Sequence, residues 1–415
     1  MIIGQEAGRY TTGSYNTFVG GYSGRGGTTS APFSSGQYNT AVGYYALNAF
    51  TTAVHNVTFG NDSMRTNTSG NYNTAYGSSA MRTNTTGGAN VAIGYAAARD
   101  LDGGDYNVVV GNGAGYNLGN VDNCILIGDE AGYAINNTGA NGTIAIGYEA
   151  GKAITSGGKN TVIGYEAGKA MTTGEGNVAI GYQALLKANH ADADHNVAIG
   201  NGVGTELLNG YYNVLIGYNT GNTLTSGGEN TLIGFNNDVA SGDNTNNIII
   251  GNGLTASDND NRVYIGNDSS YIYNDFNSNA TWTHSSDERQ KKEIKDDTLG
   301  LDFINDVRPV TFKHKSPSEF PKEWNAYNAD DKEPMGGDKT IHGLIAQEVK
   351  QALDKQGIDT FGGWGEEDDG RQHISFEAFV LPLINSVKEL STENKELKEE
   401  LNELKIFIKK KLGDE

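Results

Sequence analysis

Tyr148-Glu-Ala-Gly-Lys-Ala-Ile-Thr-Ser-Gly-Gly-Lys-Asn-Thr-Val-Ile-Gly164 is followed without a gap by Tyr165-Glu-Ala-Gly-Lys-Ala-Met-Thr-Thr-Gly-Glu-Gly-Asn-Val-Ala-Ile-Gly181, and the two stretches agree at 11 of 17 positions. Working outward on the pattern Asn-x-x-Ile-Gly, the closing glycines fall at 4, 20, 43, 60, 77, 94, 111, 128, 147, 164, 181, 200, 217, 234, 251 and 266. Most steps are 17 residues, and the others are 15, 16, 19 or 23. A period held over so many units marks a solenoid. Seventeen residues are too few for two helices and a turn, and Thr161–Ile163 or Val178–Ile180 are short β-favouring runs between Gly, Asn and Ser. One coil per unit, stacked at the strand spacing of ~4.8 Å, gives a rod of roughly 77 Å.

Three columns of the repeat have physical reasons. The asparagines (Asn160, Asn177, Asn196, Asn213, Asn230) are expected to bond to their counterparts one coil away. The closing glycine permits a left-handed turn or a close backbone approach. Small residues three positions later (Ala97, Ala131, Ala150, Ala167, Ala184, Val203) fit where two layers meet. The strand residues themselves are apolar on both faces: Val178 and Ile180 point one way, Ala179 the other. Such a strand is buried on both faces, and a coil this thin buries one. Side-by-side association of identical chains, three-fold by preference, is expected to cover the second. Lengthened steps are expected to place their extra residues in loops.

Composition divides the chain. Only 10 of the 30 Lys and Arg lie in residues 1–284, whereas five of the six prolines lie beyond them. Glycine contributes 58 residues and the apolar fraction is 37%, below the globular norm of roughly 45–50%. A net charge of −20 argues against binding nucleic acid, whose phosphates call for Lys and Arg. No apolar run approaches the ~20 residues of a membrane helix, and the first residues have neither the basic nor the apolar stretch of a secretory signal. One cysteine, Cys124, excludes an intrachain disulfide and a thiolate zinc cluster; it reads as a small buried apolar residue. The run Asp258-Asn-Asp-Asn261 reads as a turn, and neither a metal nor a cofactor is expected. The tyrosines after the repeat glycines (Tyr95, Tyr148, Tyr165, Tyr182, Tyr218) read as rim packing.

The charged region opens with Ser285-Ser-Asp-Glu-Arg-Gln-Lys-Lys-Glu-Ile294. By itself this is a helix start, with Ser285 and Glu288 as a capping box. A strand around Arg308–Lys315 follows, then Gly343-Leu-Ile-Ala-Gln-Glu-Val349, then a long terminal helix. In that helix Val380, Leu383, Val387, Leu390, Asn394, Leu397, Leu401, Leu404 and Ile408 alternate spacings of three and four, a heptad seam with Asn394 at an inward position, where an asparagine buried by association is expected to fix register.

The repeat resembles the head repeats of trimeric autotransporter adhesins, which build a trimeric β-roll, and is similar to repeats in phage tail fibres. Residues 284–415 resemble the C-terminal intramolecular chaperone of phage tail spikes and fibres, including the endosialidase type. The likeness rests on the Ser-Asp-x-Arg-x-Lys start, the Pro-Val-x-Phe strand, the Gly-x-Ile-Ala-Gln-Glu-Val segment and the terminal coiled coil. Gln290 and Glu293 depart from it, standing where leucine and asparagine are usual. The resemblance implies a mainly β homotrimer: a β-solenoid shaft over 1–283, a small α+β chaperone auto-processing domain over 284–378 and a coiled-coil helix over 379–412. It also implies a single-turnover serine endopeptidase that cuts its own Ser285–Ser286 bond. Ser286 is then the nucleophile and Lys291 or Lys292 the base, with Asp287, Arg289, Gln347 and Glu348 in support. A serine needs such a base, and a lysine serves when desolvation or neighbouring positive charge lowers its pKa. The expected setting is a virion tail assembled in the host cytoplasm, with a host cell-surface glycan or protein receptor and other tail proteins as partners, and no membrane insertion. A bacterial surface adhesin and a glycan-cleaving tail spike are the rival readings.

Overall fold

A computed structural model describes residues 1–275, 283–284, 286–324, 326–334 and 338–413. The chain divides into two compact units, Met1–Ser286 and Asp287–Glu415.

The first unit is a β-solenoid of about sixteen turns. Its short strands, from Ile2–Ile3 through Thr161–Ile163 and Val178–Ile180 to Arg262–Asn267, pair parallel with the equivalent strand of the next coil. Register is strict: Thr161 faces Val178, Val162 faces Ala179 and Ile163 faces Ile180. The irregular steps do not disturb it. Val19 still faces Val42 across the 23-residue step, and Ile127 faces Ile146 across a 19-residue step whose extra residues form the short turn Thr138–Ala140. Extra residues therefore leave through loops.

Each coil is held to the next by three devices. Asn177 Oδ1 accepts from the backbone N–H and Nδ2 of Asn196 at 2.9 and 3.1 Å, while its Nδ2 donates to Ala193 O at 2.7 Å. The same bonding recurs along Asn39–Asn107 and Asn160–Asn230. At the closing glycine the backbones nearly touch. Gly164 has φ +136, and a Cβ there would stand 2.3 Å from Gly181 O; no other residue type fits. On the return side Gly151 and Ala153 donate backbone bonds to Ala167 and Lys169 of the next coil at 2.9 and 3.0 Å. Those return segments are turns. Only near the end do they become strand, with Asp238–Val239 paired to Thr255–Ala256.

Cys124 and Thr143 occupy the ladder position in mid-shaft and divide the asparagines into two runs. Both imitate the amide by donating to a loop carbonyl of the next coil: Cys124 Sγ to Ala140 O at 3.6 Å and Thr143 Oγ1 to Gly157 O at 3.5 Å. Burial pushes the Cys124 thiol up to about 11, so it is an inert neutral donor. It stands immediately before the strand Ile125–Ile127 rather than within it.

The core takes the middle strand residue (Val162, Ala179), the small residue three after the glycine (Ala167, Ala184), the residue four after it in several coils (Leu47, Met64, Met81, Leu185) and the residue seven after it (Phe50, Leu118, Ile154, Met171), all fully buried. Asn67 and Asn84 stand in that last column, where each side chain bonds the backbone of its own turn, at Gly70 and Gly87. The parallel ladder ends in antiparallel pairing. Ser270–Asp275 runs back along Arg262–Asn267 and is itself paired to Thr283–His284. Arg262 reaches Asp275 at 3.0 Å and Tyr264 stacks on Tyr273. The Asp258–Asn261 run is a turn whose carboxylates bond coil to coil: Asp260 Oδ1 accepts from Thr245 N–H at 2.7 Å, and Asp258 Oδ1 from Asn244 Nδ2 at 3.3 Å.

The second unit is small. Helix α1 (Leu301–Asp306), α2 (Ala346–Gln356) and the start of α3 (Val380–Leu412) enclose Leu299, Phe303, Val349, Ala352, Leu353 and Phe379. Two antiparallel pairs complete it, Val310–Phe312 with Ile341–Gly343 and Trp364–Glu366 with Gln372–Ile374. No helix of the described residues is long and apolar enough to cross a membrane.

Replacing Asn177 with Ala strands the buried N–H of Asn196. It is expected to lower shaft stability by about 1–3 kcal/mol, read as a lower urea midpoint; an unchanged midpoint would show that the ladder is not stabilising.

Candidate functional site

The motif that opens the second unit forms no helix. Ser285, and with it the expected capping box, lies outside the described residues. Asp287 caps one 3-10 turn, Glu288–Gln290, by accepting from Arg289 N–H at 2.9 Å. Its carboxylate also takes the Arg289 guanidinium, at 2.9 and 2.6 Å, which holds Asp287 below the usual carboxylate range. With its donor spent locally, the chain leaves the turn extended at Lys291. The expected helix is thus one turn capped two residues later.

Ser286 closes the first unit; Lys291 and Lys292 belong to the second, and all three are exposed. Asp287 and Arg289 are brought together. Glu348 goes elsewhere: on the first turn of α2 it accepts from Arg308 Nε at 3.1 Å and from Nη2, so the guanidinium lowers its pKa. Gln347 precedes it and borders an open groove walled by Phe312, Ile341 and Phe376.

Two apolar surfaces accompany this motif. The first is the outer face of the shaft strands. Middle residues point inward, so those on either side point out, and Ile93, Ile250 and Ile265 remain 41%, 39% and 39% exposed. The row of outward side chains, β-branched except at Phe59 and Tyr76, runs the length of the shaft. It is continued by the tyrosines one after the glycine, which stack on each other: Tyr148 on Tyr165 at 5.0 Å and Tyr165 on Tyr182 at 5.3 Å. A second stack, Tyr15, Tyr38, His55 and Tyr72, runs just before the asparagines with centroids 4.8–5.2 Å apart. Ring faces in both stacks are occupied by neighbouring rings, which leaves edges and hydroxyls to solvent. They are packing ladders, poorly suited to receive the face of a sugar.

The second surface is α3, ~50 Å long at 1.5 Å per residue. Pro382 and Ser386 are buried in the unit; Asn385 Nδ2 donates to Asp297 O and Leu299 O at 3.1 and 3.0 Å, and Glu389 accepts from Leu301 N–H at 2.7 Å. The heptad residues Val380, Leu383, Val387 and Leu390 lie on the bare side, and every described residue after Ser386 is exposed.

Residues 286–358 match the family described as the chaperone of endosialidase (peptidase S74). The chain fits a phage tail fibre or tail spike: about sixteen turns of 17-residue solenoid, followed by a segment of that chaperone type. The match begins at Ser286 and runs just past α2, covering the first three sequence hallmarks and giving the segment the character of a self-cleaving peptidase. No curated protein and no solved structure matches the chain.

One charged cluster in the shaft is structural. Glu149, nearly buried, lies between Lys152 at 2.7 Å and Lys169, and these extend to Glu130 and Glu166. The two ammonium groups lower Glu149 to about 2, and the carboxylates raise Lys152 to about 12. A depressed carboxylate stabilises the fold above its unfolded pKa near 4.5 and loses that effect as pH falls toward 2. Glu149→Gln is therefore expected to melt below the parent at pH 7, by about 1–3 kcal/mol, and level with it near pH 2; a pH-independent gap would refute the linkage.

Proposed function

We propose that this chain is a homotrimeric virion tail fibre or spike for host-surface attachment, and that its C-terminal unit aligns three chains and then cuts itself away at Ser285–Ser286. The observation that carries the trimer is the bare outer face of the solenoid, one row of apolar residues that no part of its own coil covers. Exposed apolar surface on this scale marks an interface. The bare seam of α3, with Asn394 at an inward position, gives chains a second and faster way to associate. Helices pair quickly, whereas glycine-rich strands with near-equivalent coils slip in register. A helical bundle at one end fixes chain number and stagger before the shaft forms.

In the cutting step the Ser286 hydroxyl attacks the carbonyl carbon of residue 285 while Lys291 or Lys292 accepts its proton. The amide C–N bond then breaks, the proton passes to the departing amino group, and water hydrolyses the resulting ester. The solvated position of these groups in one copy supports a requirement for assembly. Packing three copies around the motif would desolvate a lysine and bring cationic groups near it, both of which lower its pKa. Cutting would then follow completed folding. The shaft, assembled in the host cytoplasm and carried on the tail, would meet a cell-surface glycan or protein, with other tail proteins at its attachment point.

On a denaturing gel the parent is expected as pieces of about two-thirds and one-third of the chain, and Ser286→Ala as one band; a mutant that still splits assigns the nucleophile elsewhere. Shaft made without residues 284–415 is expected to aggregate, and soluble trimers from the shortened chain would refute the chaperone role.

A further inference from the structure

The faces of α3 are divided within its first three turns. With Val380 and Val387 at a and Leu383 at d of the heptad, Ile384 is an e residue and Ser386 a g residue. In a parallel bundle the e side of one helix meets the g side of the next. Here the g side is not free, because Ser386 is buried by its own unit while Ile384 is 45% exposed on the opposite side. An incoming helix therefore meets the globular unit where it would ordinarily meet a g side chain.

At that place the unit is hollow. Ile304, Val307, Pro309, Leu344 and Phe376 line a depression of about 430 Å³, and the seam residue Leu383 forms part of its wall. The lining is almost wholly apolar, and Phe376 is 59% exposed. One residue thus belongs both to the helix seam and to the hollow, which makes the two surfaces continuous. We propose that this hollow seats Ile384 of a second copy of the chain. Each globular unit then clasps the helix of its neighbour, and around a three-fold axis the clasps close into a ring. The inference rests on the trimer argued above and adds the contact that locks it: the globular units set the spacing of the helices.

Cysteine pairs in the full chain test this, since Cys124 is buried. Leu344→Cys with Ile384→Cys, and separately Val307→Cys with Ile384→Cys, are oxidised, blocked with alkylating reagent and run on a non-reducing denaturing gel. The contact joins unlike positions, so at least one pair is expected to give a covalent trimer of the piece carrying the C-terminal unit. Asn394→Cys alone, in the seam, is expected to give a covalent dimer. Dimers from Asn394→Cys with only monomers from both pairs would overturn the clasp and leave the trimer standing. Monomers throughout would overturn the trimer and the clasp together. A disulfide formed within one chain, seen as lost thiols without a mass shift, would also overturn the clasp.

Discussion

A coil of 17 residues encloses too little volume to hold both faces of its own strand. One residue of each strand triplet, such as Ala179, fits inside, with Ala184 and Met171 completing the layer, and its two neighbours are turned out. Most of the molecule follows from that shortage of interior. The backbones must approach until only glycine fits at Gly164 and its equivalents, the polar groups of each turn must be satisfied by the next coil, and an apolar row must face outward. An ordinary domain hides such a row under a second layer. This chain carries no second layer among its described residues, and the proposed remedy is two more copies of the first.

Polar residues supply the specificity that a thin core does not. An asparagine whose carbonyl is bonded by the next coil and whose amide is bonded by a loop cannot shift by one residue without stranding buried groups. The Glu149 cluster makes a similar demand with charge, because each lysine is shared between carboxylates of adjacent coils. Register along one chain is therefore well determined. Register between the chains of the proposed trimer is not, since successive outer faces are nearly alike, and this is the gap that a helical end is suited to fill.

Periodicity made the shaft legible because its signal is carried by residues with one job each: the closing glycine, the asparagine, the small residue after the turn. The last core column was harder to see. Phe50, Leu118, Ile154 and Met171 share it with Asn67 and Asn84, so no single residue type marks it, although counting seven from each glycine would have found it. The terminal strand Ser270–Asp275 belongs to no repeat and left no periodic trace. At the second unit the order of motifs was readable and the local geometry was not. The charged start reads as a helix, yet Asp287 caps a single 3-10 turn, Glu288–Gln290, and the chain is extended again at Lys291. Nothing in the spacing of Gln347 and Glu348 discloses that Arg308, 40 residues away, claims the carboxylate.

The antiparallel strands after Asn267 have a bearing on what a severed fibre becomes. A solenoid that stopped at a parallel strand would offer its last edge as a template, and filaments could grow tip to tip without limit. Here the closing strands lie on the shaft side of residue 286, so the proposed cut at that point would discard the C-terminal unit and keep the stopper. Fibre length would then be written into the number of coils, and it would stay fixed after the proposed cut.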